Sequence, residues 1–557
     1  MDNFANPPHV LQGKTRLMSP QIQRRELLLA SAATLAPSLF GLQMAQAQTA
    51  SGVLRVGMTV GAVPSANGVP DQGGEGARFM NITLYDQLVA WDLSQGDKPA
   101  GLIPCLATAW KPDATRPKRW NFTLREGVRF HDGHELVADD VVFSFDRAFK
   151  RDAPWFDLRA YGQALPQIPG VVAWGSEGKN QFWVETATID GTLPYALTWL
   201  GIVHKGAWEA AGKDWNAYAN KAVGTGPWKM ESFNQRERAV LVRNDKYWNP
   251  ARIPKAAKLV LLPIPDANAR VAALRSGQVD FIEAPAPDAV ASLRSAGFKV
   301  ITNIYPHNWT WQLAQIPGSP WLDIRVRKAA NLAIDRTAMK SLLGGLMIEG
   351  QGLIPVGHPW HGKPQFKLIH DPDAARKLLA EAGYSPSKPL RTKVAISNSG
   401  SGQMQPLPMN EFIQQSLREV GIEVQFEVFE WQALIEVWKA GAGAQVARGC
   451  MALNISQGPF DPFRAFARIL QTNMAAPAGV NWSRFSDPEM DKVFLQIQQE
   501  TNTAKQDALM AQVHGQVVDR ALFLFAAHDL NPRAISPKVK GFVQAQSWFQ
   551  DLTPISI

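Results

Sequence analysis

WNFTLREGVRFHDGHELVADDVVFSFDRAF, residues Trp120–Phe149, is the stretch from which the rest of the chain is read. Trp120, Phe122 and Leu124 alternate with polar residues, the period of a strand with one buried face. Gly127-Val128 and Asp132-Gly133 supply two turns. Asp139 is expected to cap a helix with Val141, Val142, Phe145 and Phe149 on its apolar side, its carboxylate accepting N–H groups of the first turn. Strand, paired turns and capped helix make one compact unit, and nothing in it is arranged as a catalytic group.

A chain of 557 residues has room for two or three domains. With 46% hydrophobic and 19% charged residues it has the composition of a soluble globular protein. Nineteen tryptophans point to aromatic-rich packing or an aromatic-lined cleft. The net charge of +8 is spread along the chain without a basic run, which reads as solubility rather than a nucleic-acid footprint. Cys105 and Cys450 exclude a zinc cluster and a disulfide framework. Their apolar neighbours favour two buried thiols over one long-range bridge.

Residues 1–47 are set aside from the fold. Arg24-Arg25 precedes an apolar run, Leu27–Leu42, interrupted by Ser31, Thr34, Pro37 and Ser38, and Ala45-Gln46-Ala47 has the small-x-small form of a cleavage site. The run is too short and broken to span a membrane. The paired arginines resemble a twin-arginine export signal, with an ordinary secretory signal as the alternative and Met18 as a possible start. Cleavage near Ala47 leaves a mature chain of net charge +6 without an adjacent cysteine for a lipid anchor.

Val53–Gly57 is expected as a first strand, followed by a loop, Gly61–Gly76, that is either functional or a surface connection. Val223–Trp228 is glycine-rich but lacks the Lys-Ser/Thr of a phosphate loop, and is expected to form a hairpin corner. Asp266, Asp323 and Asp371-Pro372 are expected helix starts. Thr392–Ser397, Asn410–Val420 and Ile422–Val428 read as strand, helix and strand, one βαβ unit. Helices are expected near 487–499 and 505–519, a strand over Leu522–Ala526, and β-like texture at Val539–Phe542.

Five segments together resemble the dipeptide/oligopeptide/nickel class of extracellular solute-binding proteins, family 5. They are Tyr85–Val89, Trp120–Phe149, Val223–Trp228 with Arg243–Trp248, Arg270–Phe281, and Asp323–Arg336. The resemblance implies an α/β fold of the large, cluster C periplasmic-binding type, with two lobes and a hinge. Lobe I is expected over 48–306 with an extra subdomain, lobe II over 307–525, and a C-terminal return to lobe I over 526–557. It also implies a monomeric, periplasmic, non-enzymatic protein that needs no cofactor, closes on a ligand and delivers it to an ABC permease with its ATPase subunits.

In dipeptide binders of this class an aspartate pairs with the ligand ammonium. The matching stretch here, Met451–Pro462, puts Ser456 at that place, with Asp461 as the alternative if the alignment slips. The loop expected to carry a carboxylate-binding arginine, Asn398–Gln405, has no basic residue. The expected ligand is therefore neutral, polyhydroxylated or a longer peptide rather than a free dipeptide. The expected ligand-binding residues are Ser65, Asn67, Trp309, Trp311, Asn398, Ser399, Gln403, Trp431, Asn454, Ser456 and Asp461. For the tryptophans, core or hinge packing is the alternative; for the loop residues, a solvated loop. His131-x-x-His134 and His358-x-x-His361 lie in turns and are expected to bind no metal. Neither a G-x-S-x-G elbow nor an H-E-x-x-H helix supports a hydrolase, the competing class, with a chaperone-like peptide binder as the third and nickel or metal-complex binding as a minor alternative.

Overall fold

The strand that opens the stretch above runs Arg119–Leu124 and buries Trp120, Phe122 and Leu124 on one face. It is the second strand of a four-stranded antiparallel sheet, between Ala107–Pro112 and Gln181–Thr186, with Val171–Ser176 at the far edge. The helix Ala138–Phe149 lays Phe145 on this sheet, 4.9 Å from Phe182 between ring centroids. Its cap differs from expectation. Val137 is the N-cap, and Asp140 reaches back to accept from the Val137 N–H at 2.9 Å, since only the third residue of the first turn has that reach. Asp139 faces outward and accepts from Ser176 Oγ at 2.7 Å.

The computed structural model describes residues 52–69, 71, 74–500 and 502–557. The expected export signal, 1–47, and Pro70, Gln72 and Gly73 of the Gly61–Gly76 loop lie outside the described residues. Ala50–Ile557 forms one compact unit built on two large sheets. The first has the order Lys299–Ile301, Arg533–Ile535, Phe281–Glu283, Val53–Met58, Lys258–Pro263, Arg238–Arg243, Trp228–Asn234. Val53–Met58 sits at its centre, parallel to both neighbours. The second has the order Met347–Glu349, Phe523–Asp529, Asn308–Leu313, Ala452–Gln457, Leu390–Ser397, Ile422–Phe429. The chain leaves the first sheet after Ile301, enters the second at Asn308, and returns between Asp529 and Arg533.

Leu390–Ser397 and Ile422–Phe429 are parallel and joined by the helix Pro406–Glu419, the expected βαβ unit. Asp266, Asp323 and Asp371 cap their helices, accepting from Ala269, Arg325 and Ala374 N–H at 2.7, 2.8 and 2.9 Å. Asn308–Leu313 is buried on both faces rather than alternating, because helices and loops cover both sides of this central strand. The expected β-texture at Val539–Phe542 reduces to one bridge, Lys540 to Ser556. Among the described residues no helix is long and apolar enough to cross a membrane. Cys105 and Cys450 are unpaired and buried, and burial pushes the Cys450 thiol up to about 12.

Val223–Trp228 is not a hairpin corner. The hairpin that follows turns at Gln235–Glu237, and the glycine run instead lets two backbones touch. Gly226 N–H donates to Leu84 O at 3.0 Å, and a Cβ on Gly224 would stand 2.0 Å from that oxygen. His131 clamps the same run: its Nδ1 accepts from Gly224 N–H at 3.2 Å and its Nε2 meets Gly226 O at 3.0 Å. Burial lowers the ring's pKa to about 4, so the native imidazole stays neutral where an unfolded one near 6.5 protonates. The depressed value means stability is complete above about 6.5 and declines as pH falls toward 4. His131→Asn is therefore expected to flatten the dependence of unfolding free energy on pH by up to about one proton in that window. Urea titrations at several pH values check this, and an unchanged slope would remove His131 from the acid response.

Candidate functional site

Two cavities open between the structures built on the two large sheets. The larger, about 640 Å³, lies beside the chain crossings and is lined by Thr59, Arg78, Asp266, Glu283, Asn398, Ser399, Asp529 and Arg533 among others. Its main charged groups are already paired: Arg78 with Glu75 at 2.7 Å and with Glu283, and Arg533 with Glu283 at 2.6 Å. The smaller, about 110 Å³, is walled by Trp199, Trp431, Trp438, Phe460 and Trp548, with Ser401, Ser456, Gln457, Arg464 and Arg468 between them. Eight of its wall residues hold a buried polar atom without a hydrogen-bond partner among the described residues: Trp199, Trp438 and Trp548 Nε1, His307 Nδ1, Gln432 Oε1, Gln457 Nε2, and Arg464 and Arg468 Nε. Buried polar groups in native proteins are normally satisfied, by ordered water or a bound molecule where the chain supplies no partner.

The walls come from both sides. Trp431 starts the helix Trp431–Ala440, placed at the end of Ile422–Phe429 and capped by Glu430, which accepts from Gln432 N–H at 2.8 Å. Over its indole lies Gly400, at φ +132°, where a Cβ would stand 2.3 Å from the ring. Only glycine lets the Asn398–Gln405 loop cross there. Asp461 accepts from Arg464 N–H at 2.8 Å and so starts the turn that carries Arg464 and Arg468 on one face. Across the gap, Arg464 binds Gln167 Oε1 and lies 4.0 Å above the Trp199 ring, Phe460 stacks on Trp548 at 6.0 Å, and Ser401 Oγ donates to Glu75 Oε2 at 2.8 Å. Asp461 and the Arg464 guanidinium stand 3.9 Å apart. Burial raises the carboxyl pKa and lowers the guanidinium to about 10, so desolvation outweighs their attraction at that distance.

Of the expected site residues, the structure brings Trp431 and Ser456 to the smaller cavity, with Gln403 behind them donating to Ser456 Oγ at 2.8 Å. Asn398 and Ser399 line the larger one. Trp309, Trp311 and Asn454 are core: Trp309 Nε1 donates to Gln403 O at 3.0 Å, Trp311 Nε1 to Asn410 Oδ1 at 2.8 Å, and Asn410 Nδ2 to Asn454 Oδ1 at 2.9 Å. Ser65 and Asn67 line neither cavity; Ser65 N–H is held by Asp71 Oδ2 at 2.7 Å, and Asn67 O by Arg147. Asp461 works as a helix cap behind the wall. Arg464 and Arg468 lie outside the loop after Leu390–Ser397, where the family's pattern places a carboxylate-binding arginine; their sequence signal is the FRAFAR run, Phe463–Arg468, two arginines one turn apart directly after an Asp-Pro helix start. His134, Asp140 and His204 lie close together, but the two imidazoles stack parallel at 4.5 Å and His204 Nε2 is engaged by Asp132 at 2.8 Å, so they do not converge on a common point.

Residues 101–467 match the family model of bacterial extracellular solute-binding proteins, family 5. The chain belongs to this family. Among curated relatives, this solute-binding protein is 25% identical over 484 residues to the dipeptide-binding protein of Escherichia coli, covering 83% of this chain and 87% of the relative. It is 24% identical over 502 residues to heme-binding protein A of Haemophilus influenzae, covering 85% and 87%. The solved dipeptide-binding protein of Pseudoalteromonas sp. SM9913, in complex with Met-Leu, superposes with a TM-score of 0.79 at 21% identity, over 90% of this chain and 99% of that one. The fold is thus the two-lobed α/β fold of family 5, and the role is that of a ligand-capturing solute-binding protein.

Asn410→Ala would strand Trp311 Nε1 and Asn454 Oδ1, and is expected to cost about 2 kcal/mol of stability. A urea midpoint shift measures it, with bound small-molecule content unchanged. Loss of that content at full stability would return Asn454 to the ligand site.

Proposed function

We propose that this protein is the periplasmic capture component of an ABC importer and holds a small molecule in the aromatic cavity between its lobes. Lobe I comprises residues up to about 301 with the C-terminal segment from about 533, lobe II comprises about 308–529, and the hinge is the pair of chain crossings, 302–307 and 530–532. The observation that carries this reading is the cavity itself: enclosed by residues of both lobes, and rich in buried polar atoms that lack protein partners. A ligand touching both walls favours the closed arrangement by its differential affinity, and an inner-membrane permease with its ATPase subunits then receives it. Relatives named for dipeptides and for heme support a class whose ligands differ while the frame persists.

The protein binds without turnover. Ser456 Oγ accepts from Gln403, and among the described residues no hydrogen bond joins it to His307, whose ring stands 3.5 Å from Asp529, so these three do not form a working nucleophile–base pair. The polar lining fits a peptide-like or other polar metabolite.

Native mass spectrometry of the protein purified from periplasm, compared with a denatured and refolded sample, tests the reading. One small molecule per chain is expected before refolding, returning saturably and chemically unchanged when added back. Recovery of a cleaved product would replace capture with catalysis.

A further inference from the structure

We propose that the cavity selects a ligand bearing one carboxylate, anchored by Arg468. The inference rests on the reading of this cavity as the capture site, and supplies the charge of what is captured. Arg468 is 6% exposed and lines the cavity, yet its guanidinium makes no hydrogen bond and no ion pair with any described residue. Its one close companion is the face of Trp438, 5.0 Å from the ring centroid. A cation–π contact recovers only part of what a buried cation loses in leaving water. Burial first, and then repulsion from Arg464, hold the Arg468 guanidinium well below the ordinary arginine range, against a smaller attraction from Asp461.

The neighbouring charges do not supply one. Asp461 stands 3.9 Å from Arg464 and acts on that arginine more strongly than on Arg468, with which it forms no ion pair; Arg464 is also engaged by Gln167 and Trp199. Among the described residues no aspartate or glutamate lines the cavity; the other titratable wall residues are Lys439, paired with Glu436 at 3.4 Å, and His307, 3.5 Å from Asp529. Two arginines against one aspartate leave a single positive charge, and a single negative charge balances it. The flat fork of guanidinium donors matches a planar carboxylate. A phosphate monoester would bring a second charge with no partner into an aromatic enclosure. Five of the eight unpartnered polar atoms in the walls are indole or guanidinium N–H groups, which only donate. The site asks for acceptors, and its tryptophans and Phe460 ask for an apolar or aromatic body.

The test uses the mature full chain, stripped by refolding, and three probes: 3-phenylpropanoate, its primary amide and phenyl phosphate. Calorimetry and thermal denaturation are run on wild type, Arg468→Met and Trp431→Ala. The carboxylate is expected to bind wild type at least tenfold more tightly than the amide or the phosphate, and Arg468→Met to erase that preference. Ligand-free Arg468→Met is expected to melt at or above the wild-type temperature, because an unpaired buried cation has given way to an apolar chain. A fall of several degrees, which would make Arg468 a structural cation, overturns the proposal, as does equal affinity of wild type for carboxylate and amide. If those equal affinities are both lost in Trp431→Ala, capture in the cavity stands and only the charge preference falls. If no probe binds and no small molecule co-purifies, both fall together.

Discussion

Two arginines and two glutamates, each no more than 2% exposed, meet where the chain passes between its two large sheets. Arg78 bridges Glu75 and Glu283, and Arg533 closes on Glu283 with Gln550 donating to the same carboxylate at 3.4 Å. Removing one member would strand a charge away from water, a loss of about 3–5 kcal/mol. The cluster joins three parts of the chain: the segment around Gly76–Asn81, the strand Phe281–Glu283 and the returning strand Arg533–Ile535. The tie from Glu75 to the other lobe is of another kind. Ser401 contributes one neutral hydroxyl to that carboxylate, a bond worth about 1.5–3 kcal/mol. Strong ionic bonds tie the segments of the first sheet to one another, while weaker polar and ring contacts join them to the part built on the second sheet.

The cavity is built on the opposite economy. The charges at the crossings are balanced, whereas those of the aromatic cavity are not, and the buried indole N–H groups of Trp199, Trp438 and Trp548 have no acceptor among the described residues. Tryptophan suits both halves of this arrangement, giving broad apolar walls and one fixed donor per ring. Rigid donors set in advance reduce the ordering cost of binding. They also hold polar groups out of water until something fills the space.

Much of the frame was legible in sequence because its signals are local. An aspartate ahead of an apolar face capped a helix at 266, 323 and 371, since each cap needs only a carboxylate within three residues of a free N–H. The Asp139/Asp140 pair misled because two adjacent acids compete for one cap and only backbone geometry chooses between them. The site was less legible. Trp309 and Trp311 share a strand face as expected, but both faces of that strand are covered, a fact of packing that alternation cannot express. Trp431 and Ser456 lie where the family's pattern points, while the FRAFAR spacing marks two arginines one turn apart but only the fold shows that Arg468 has no ion-pair partner among the described residues.

The order of strands in the first sheet also governs the order of events during synthesis. Its central strand, Val53–Met58, is among the first described segments to emerge, but its partners begin at Lys258 and Phe281, and the outer pair is joined only by Arg533–Ile535. Until the last few dozen residues exist, Phe281–Glu283 keeps an open edge and Glu283 lacks its Arg533. The growing chain therefore carries an unfinished first lobe throughout elongation. Loss of the final segment would leave two apolar strand edges exposed to other chains, so the C-terminal return serves as the lock on a sheet that the N-terminus begins.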